Sequence, residues 1–571
     1  MTRNFKKAFI SGVERVAAWS DILDEINVFP VADGDTGRNL VISMTPLRQF
    51  NEDPENTINK LLISARGNSG NIAARFFSGF LKADSFTTLL DAVESGRDKA
   101  WQAVNKPVAG TMLTVFDELA EFLKKDRIED KNEYVLQVIN HLEKATLSTN
   151  TLLPKLKQAG VIDSGALGMY IFFESFFSSL IDRQENLIPI TKKFKGFLQI
   201  APSFQEKTEA GYCIDTVVKF DNTTQENISK LSECGESVVA IKHEDYIKVH
   251  LHTGDREEAR KKIESLGDVV NWADDDMDRQ IKKFKRQGKH KAIHIMTDAA
   301  GSVTREDSSN LKFTLLDSYI IAGDKSLPET HFRSSELYKF MREGVKVTTS
   351  QASVFERHQY YQRLLDQYKE VLYICVGSVY TGNYDTVREW KKKNDPDNRL
   401  TVIDTGVASG RLGIIAIATA RHSMESEHSD SVIRYAKRAV DLCDEYIFLD
   451  KLKYLAAGGR LSKTNAVFGD MFNVKPIIRP TSEGAKKVGA VRNRKGQLKF
   501  ALDKIEKTIN SDSSPLIMLQ YTDNRSWVEN VVKEEIIKLL PLCEIILQPL
   551  SLTTGAHTGP GTWALAFLPK F

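Results

Sequence analysis

The stretch FPVADGDTGRNL (29–40) sets two carboxylates, Asp33 and Asp35, two positions apart between Gly34 and Gly37, and a helical run follows Asn39. Both side chains can point at one centre. Magnesium prefers hard oxygen donors and keeps several waters, so a carboxylate pair plus nucleotide phosphates is an ordinary site for it. Taken alone, DGDTG is equally a turn with an N-capping Asp or Thr. Three further Gly/Ser turns weigh on that choice: ARGNSG (65–70), KPVAGT (106–111) and DSGALG (163–168), each directly ahead of an apolar helix. Backbone amides at helix N-termini bind anions. Three such turns can cradle a triphosphate without a P-loop, and no GxxxxGK[ST] string is present.

Around these turns residues 1 to about 195 read as helical. In NEYVLQVINHLEKATLS (132–148), Val135, Val138, Ile139, Leu142 and Ala145 fall on one stripe. Similar patterns run over 5–18, 111–124 and 164–181, and no alternating strand precedes about 197, so the first domain is expected to be all-α.

Between 197 and 278 short alternating runs, YCIDTVVKF (212–220) and YIKVHLHT (246–253), flank the helix-like TTQENISKLSE, the pattern of a small α+β module. In YIKVHLHT, Ile247, Val249 and Leu251 take one face and Lys248, His250 and His252 the other. Two imidazoles at i and i+2 can share a metal, and with Cys213 they make a set whose softness suits zinc. The plainer alternative is two partly exposed strand histidines and an ordinary buried cysteine. The run RQIKKFKRQGKHK (279–291), with seven Lys or Arg in thirteen residues, reads as a solvated boundary rather than a nucleic-acid patch.

From 292 onward AIHIMTD, VLYICVGS, TVIDTG, YIFLD and LIMLQYTD each end in a polar or Gly-rich turn and alternate with helical patterns. This predicts an α/β region with a mainly parallel sheet and ligands at the carboxyl ends of strands. Four turns there carry polar groups: TTSQAS (348–353), VGSVYTGNY (376–384), YLAAGGRLSK (454–463) and TGAHTGPG (554–561). Each one alone is most simply a turn.

The 571 residues are 42% hydrophobic and 27% charged, a composition of folded multidomain chains, and 78 basic against 76 acidic residues leave no field to attract nucleic acid or an anionic surface. Five dispersed cysteines without a CxxC fit a reducing, cytoplasmic setting. The N-terminal MTRNFKKAFISGVERVAAWSD has no long apolar run or small-residue cleavage site, so no export signal is expected. The longest stretch free of Asp, Glu, Lys and Arg, Ile545 to Pro569, holds two prolines, three glycines and His557 ahead of its last residue, so no membrane span is expected.

The strings NVFPVADGDTG, ARGNSG, KPVAGTMLTV and LPKLKQAGVIDSGALG make most of residues 1–190 resemble the nucleotide-binding domain of the dihydroxyacetone kinase family and, more closely, the catalytic subunit of bacterial fatty acid kinase. The resemblance implies an antiparallel helical barrel that binds ATP through Mg2+ on Asp33 and Asp35. Thr36, Gly67, Asn68, Ser69, Gly70, Gly110, Thr111, Asp163, Ser164 and Gly165 would then surround the nucleotide. Ala32 stands where proline is usual, and the third aspartate of the dihydroxyacetone kinases has no obvious equivalent; Asn27 or Asp24 would complete the metal shell. The next module resembles the middle domain of the same kinase. This implies a metal site at Cys213, His250 and His252, for which zinc is the expectation; three protein ligands leave a fourth position open, which is expected to face the kinase reaction.

From TDAAGSV (297–303) to the C-terminus the chain resembles the DegV family of fatty-acid-binding proteins. The resemblance implies that Thr349, Thr381, Arg460 and His557 fix a fatty acid carboxylate while the acyl chain lies in an apolar tunnel. Thr381 replaces the more usual serine, and TDAAGS departs from the usual TDSTAD opening. The expectation is thus a multidomain chain: an all-α barrel (1–195), a small α+β domain (197–280) and an α/β region with two subdomains (291–571). Its expected activity is ATP-dependent phosphorylation of a fatty acid to an acyl phosphate. A fatty acid is ionised at pH 7 and attacks phosphorus without a general base, so positioning and charge neutralisation suffice. Glycerone (dihydroxyacetone) kinase-type activity and a non-catalytic lipid-binding carrier are the alternatives. The implied partners are a fatty acid, a second copy of the chain through the kinase or middle domain, and a downstream acyltransferase.

Overall fold

A computed structural model describes residues 2–49, 53–125, 130–204, 211–220, 223–243, 245–277, 292–457, 474–510 and 513–571. The chain divides into two compact units, Met1–Gly288 and Lys289–Phe571. The basic run 279–291 lies outside the described residues.

Unit 1 begins with helices α1 (Arg3–Glu25), α2 (Thr36–Met44), α3 (Pro54–Ser64), α4 (Gly67–Phe80), α5 (Leu89–Ala103), α6 (Met112–Leu123), α7 (Lys131–Leu152), α8 (Pro154–Ala159) and α9 (Ser164–Ser179). Their packing closes a ring: α1 against α2, α2 against α4, then α5, α6, α7 and α9, which returns to α1. A helix apolar on all sides must be buried, and every residue of α9 is. Its Phe172, Phe173 and Phe176 interlock with Phe9, Phe76, Phe80 and Phe116, and Phe76 stacks on Phe116 at 3.9 Å. Two acids of this domain, Glu174, which pairs with the buried Arg15 at 2.6 Å, and Glu143, are tied to Lys193 of the short α10 (Ile190–Lys193).

The middle module orders its strands β2-β3-β1-β4, all antiparallel: β1 (Tyr212–Lys219), β2 (Glu236–His243), β3 (Tyr246–Thr253) and β4 (Asp268–Asp276), with α11 (Gln225–Ser232) and α12 (Arg256–Glu264) on one side. Ile214, Val218, Ile247, Val249 and Leu251 form the core with Ala259 and Ile263 of α12. The opposite face carries Cys213, Asp215, Lys248, His250 and His252, and it meets the helical ring through α4 and α5.

Unit 2 contains three sheets among its described residues. One is parallel, in the order β11-β10-β5-β6: β5 (His294–Asp298), β6 (Thr314–Leu316), β10 (Val371–Cys375) and β11 (Leu400–Asp404). A small antiparallel sheet is ordered β8-β7-β9, from β7 (Tyr319–Ala322), β8 (Lys325–Pro328) and β9 (Val347–Ser350). The third has six strands, β14-β13-β12-β17-β15-β16: β12 (Asp444–Phe448), β13 (Lys475–Thr481), β14 (Gly484–Val491), β15 (Leu516–Tyr521), β16 (Glu544–Pro549) and β17 (Trp563–Leu568). Here the expectation of a mainly parallel sheet is corrected, because only β15 and β16 run parallel. The cause is connectivity. β13 turns straight back into β14, and the last strand, the fully buried WALAFL, inserts between β12 and β15 in the opposite direction. Apolar runs mark buried strands but carry no direction.

Candidate functional site

Asp33 and Asp35 flank Gly34, which adopts φ +67, and the preceding Phe29–Pro30 peptide is cis. Asp35 is the N-cap residue of α2 but its side chain makes no capping bond. The capping is done by Asp24 of α1, whose Oδ1 accepts from Gly37 N (2.6 Å) and Arg38 N (3.2 Å). Gly37 permits this closeness: a Cβ there would stand 2.0 Å from the Ser20 carbonyl oxygen. The capping reading of Asp35 is therefore replaced, and its carboxylate faces Arg38 at 3.5 Å. Asn27 donates to Asp33 Oδ1 (2.5 Å) and accepts from Ser164 Oγ (3.2 Å), so it orients Asp33. Burial, then the charge of Asp35, pushes Asp33 well above the usual carboxylate range, and burial raises Asp24 to about 8 with Asp35 and Asp21 adding to it against Arg38. A half-buried and a buried carboxylate side by side are a donor set suited to a hard cation.

The helix-leading turns differ from one another. At α6, Thr111 caps Leu113 N (3.4 Å) while Gly110, at φ +91, donates to Thr114 Oγ1. At α9, Asp163 takes Ala166 N (2.7 Å), and burial raises this carboxyl to about 7. At α4 no side chain caps the helix from the N-cap position Arg66. Gly67 N points to Asp215 Oδ2 at 3.4 Å, and the buried Oδ1 of Asn68 has no hydrogen-bond partner. Ser69 and Gly70 are buried behind it, and Thr36 opens α2.

Cys213, His250 and His252 converge: one donor atom from each lies within 4.8 Å of the others, and all three residues are buried. Register places them, since Cys213 pairs with His252 and Asp215 with His250 across β1 and β3. Cys213 Sγ is 4.0 Å from His250 Nδ1, which also meets Asp215 Oδ1 at 3.2 Å, and His250 Nε2 is buried without a partner. The partly exposed histidines of the plainer alternative are thus corrected; the helical ring covers this face of the sheet. Burial holds His252 down at about 3, hence neutral, the form that ligates a metal. Burial, with the charges of Asp215, Asp35, Asp33 and Asp275, pushes the Cys213 thiol well up. Val31, two residues before Asp33, packs against Cys213 and Met277. The cysteine–histidine set and the DGDTG loop therefore share one electrostatic neighbourhood.

In unit 2, β9 and the helix Leu552–Thr558 bring Thr349 Oγ1 to 3.3 Å from His557 Nε2. Thr381 accepts from Asn383 N (3.0 Å) at the start of the helix Asn383–Asn394. Asn383 in turn donates to Asp298 (2.8 Å), which also accepts from Tyr373 Oη and Val376 N. Arg460 lies outside the described residues.

The sequence reading placed Lys248 on the face of His250 and His252 without a role, and missed Arg38, Asp215, Asp275 and Asp298. Two had a signal: Arg38 is three residues past Asp35 on one helical face, and Asp215 alternates with Cys213 onto one strand face. Asp275 arrives through its pairing with Cys213 from β4, and no local pattern marks it.

Comparison with known proteins finds a family model for each of the three regions, the helical domain, the middle module and the α/β region. The family described as DAK2 domain matches residues 30–178, the fatty acid kinase A-like middle domain matches 209–284, and the DegV family matches 292–570. The three models match successive regions of one polypeptide, in that order. An uncharacterized protein of Staphylococcus saprophyticus is 32% identical over 300 residues, covering 47% of this chain and 52% of that protein. One of Staphylococcus aureus strain USA300 is 30% identical over 363 residues, covering 57% and 65%. The chain thus spans about half to two thirds of the length of these relatives. Among solved structures, a DegV family protein from Thermus thermophilus (21% identity, TM-score 0.46) and DegV from Bacillus subtilis (18%, 0.45) are both described as fatty acid binding; each covers 49% of this chain and 100% of its own.

Proposed function

We propose that the chain transfers the terminal phosphoryl group of ATP to the carboxylate of a fatty acid, giving ADP and an acyl phosphate. The observation that carries this reading is the division of labour in the DGDTG loop. Asp24 takes the capping bonds, so the half-buried Asp33 and the buried Asp35 are left to a cation. Mg2+ held there would neutralise phosphate charge. Asn27 orients Asp33, and the open amides at the start of α4, with Asn68 and Ser69, receive the phosphates. The turns at Gly110–Thr111 and Asp163–Gly165 shape the remaining wall.

Cys213, His250 and His252 fit Zn2+ as soft and neutral donors, and zinc there would offer one open position to an anionic oxygen. Thr349 and His557, with Thr381 and Arg460, hold the carboxylate of the acid, and its tail lies in the apolar interior of the DegV domain. The acid is already ionised, so these groups orient the attacking oxygen and no base is needed. The match of residues 209–284 to the middle domain of fatty acid kinases supports this substrate class. An acyl phosphate is a reactive mixed anhydride, which implies an acyltransferase that consumes it in the cytoplasm; a second copy of the chain is proposed to join through unit 1.

The test is direct. The full chain is incubated with ATP, Mg2+ and palmitate, ADP release is measured, and acyl phosphate is trapped with hydroxylamine. Palmitate-dependent ADP release with trapped hydroxamate is expected. Release that requires dihydroxyacetone instead, or bound palmitate with no ATP consumed, would overturn the reading.

A further inference from the structure

The middle-module sheet reaches the three turns of the helical ring that precede the proposed nucleotide site. Val31, ahead of Asp33, packs on Cys213. Val104 and Asn105, ahead of KPVAGT, bridge to β2, with Asn105 N donating to Val238 O at 3.5 Å. The third contact has the most specific chemistry. Lys248 Nζ donates to the carbonyl oxygens of Ile63 (3.0 Å), Leu62 (3.4 Å) and Ala65, the unsatisfied end of α3. Across the pairing of β1 and β3, Asp215 lies on the same sheet face and accepts from Gly67 N, the first residue of α4.

The ARGNSG turn between these helices is therefore held from outside its own domain. A cation sits on the negative end of α3 and an anion on the positive end of α4, each the sign that the helix dipole favours. Gly67, at φ +60, packs so closely on Asn39 that a Cβ would stand 2.1 Å from its Nδ2. A side chain at this position would therefore collide with Asn39.

We propose that Lys248 and Asp215 are positioning residues of the nucleotide site: from β3 and β1 they fix the ARGNSG turn so that the Asn68 and Ser69 amides stay open toward the phosphates. Asp215 also meets His250 Nδ1, so the ring that belongs to the cysteine–histidine set and the turn share one carboxylate. The inference deepens the proposed function and rests on its placing of the nucleotide at this turn.

The experiment measures binding of a non-hydrolysable ATP analogue with Mg2+ to the full chain by calorimetry, and amide hydrogen exchange over residues 66–71. Lys248→Met is expected to weaken analogue binding by about tenfold, the loss of hydrogen bonds from a charged donor, and to speed exchange in the turn. Lys248→Arg is expected to recover most of both, while palmitate binding stays at the wild-type level. Asp215→Asn, which keeps the shape and removes the charge, is expected to weaken binding several-fold should Lys248→Met fail to fold. Analogue affinity within twofold of wild type in both Lys248→Met and Asp215→Asn would overturn the proposal. A wild-type chain that binds no analogue would overturn the proposed function instead, and the exchange rates would still report whether the two residues hold the turn.

Discussion

Thr349 and His557 stand 208 positions apart in the chain, yet Thr349 Oγ1 lies 3.3 Å from His557 Nε2. β9 carries the threonine beside Ile320 of β7, and the helix Leu552–Thr558 carries the histidine, with Glu329 accepting from Thr553 N (2.9 Å) and Thr553 Oγ1 (2.7 Å) at its start. The pair presents a hydroxyl and an imidazole at one point, the equipment for a carboxylate.

Thr349→Val removes the hydroxyl and keeps the shape. Binding of palmitate, followed by displacement of a fluorescent fatty acid, is expected to weaken about tenfold, the worth of one hydrogen bond to a charged group. Affinity equal to wild type would separate Thr349 from the ligand.

Asp33→Asn should act in two directions. Acyl phosphate formation is expected to fall at least about a hundredfold, because the cation site is lost. In metal-free buffer the melting temperature is expected to rise, since the repulsion between Asp33 and Asp35 is relieved. A lower melting temperature would show that the carboxylate serves the fold instead.

Glu329 and Glu445 are buried carboxyls pushed up to about 7, first by desolvation, against the hydrogen bonds from Thr553 and Gln520 that pull them down. The folded chain therefore keeps protons that the unfolded chain releases near pH 4.3. Between those values the unfolded state binds fewer protons, so stability falls as pH rises. Each group contributes on the order of 3 kcal/mol below about pH 4.3 that is lost by about pH 7. Chemical denaturation of unit 2 should give a lower stability at pH 8 than at pH 5.5, and Glu329→Gln should shrink the difference. A flat profile would contradict the assignment.

Zinc is expected to copurify at about one ion per chain, measured by plasma emission, and to be absent from Cys213→Ala. Chelation should lower the melting temperature of unit 1, because metal binding energy adds to folding energy. A chain purified without zinc that melts identically before and after zinc addition would remove the metal from the site.

The local patterns were legible where one periodicity dominated. The stripe over 132–148 lies inside α7, and the alternation in YIKVHLHT is β3, with Ile247, Val249 and Leu251 in the module core as read. The turn residues of DGDTG and ARGNSG stand at helix starts. What alternation could not convey was the fate of the second strand face: the same pattern describes a solvated face and one covered by another domain, and His250 and His252 proved to be buried. Nor could it convey strand direction, which is why the six-stranded sheet came out mixed.

By itself, then, the sequence determined the succession of a helical domain, a small α+β module and an α/β region, and it marked Asp33, Asp35, Cys213, His250 and His252 as candidate site residues, while Thr349 and His557 came only from the resemblance to the DegV family. The succession and the first five residues follow from periodicity, glycine turns and donor type, all of which are local. Only the tertiary structure decided that Asp24 rather than Asp35 caps α2, that Lys248 and Asp215 reach the ARGNSG turn, and that Thr349 meets His557. Those are pairings between elements far apart in the chain. A hydrogen bond of about 3 Å requires both partners to be placed by separate packing events, and no spacing along one segment carries that information.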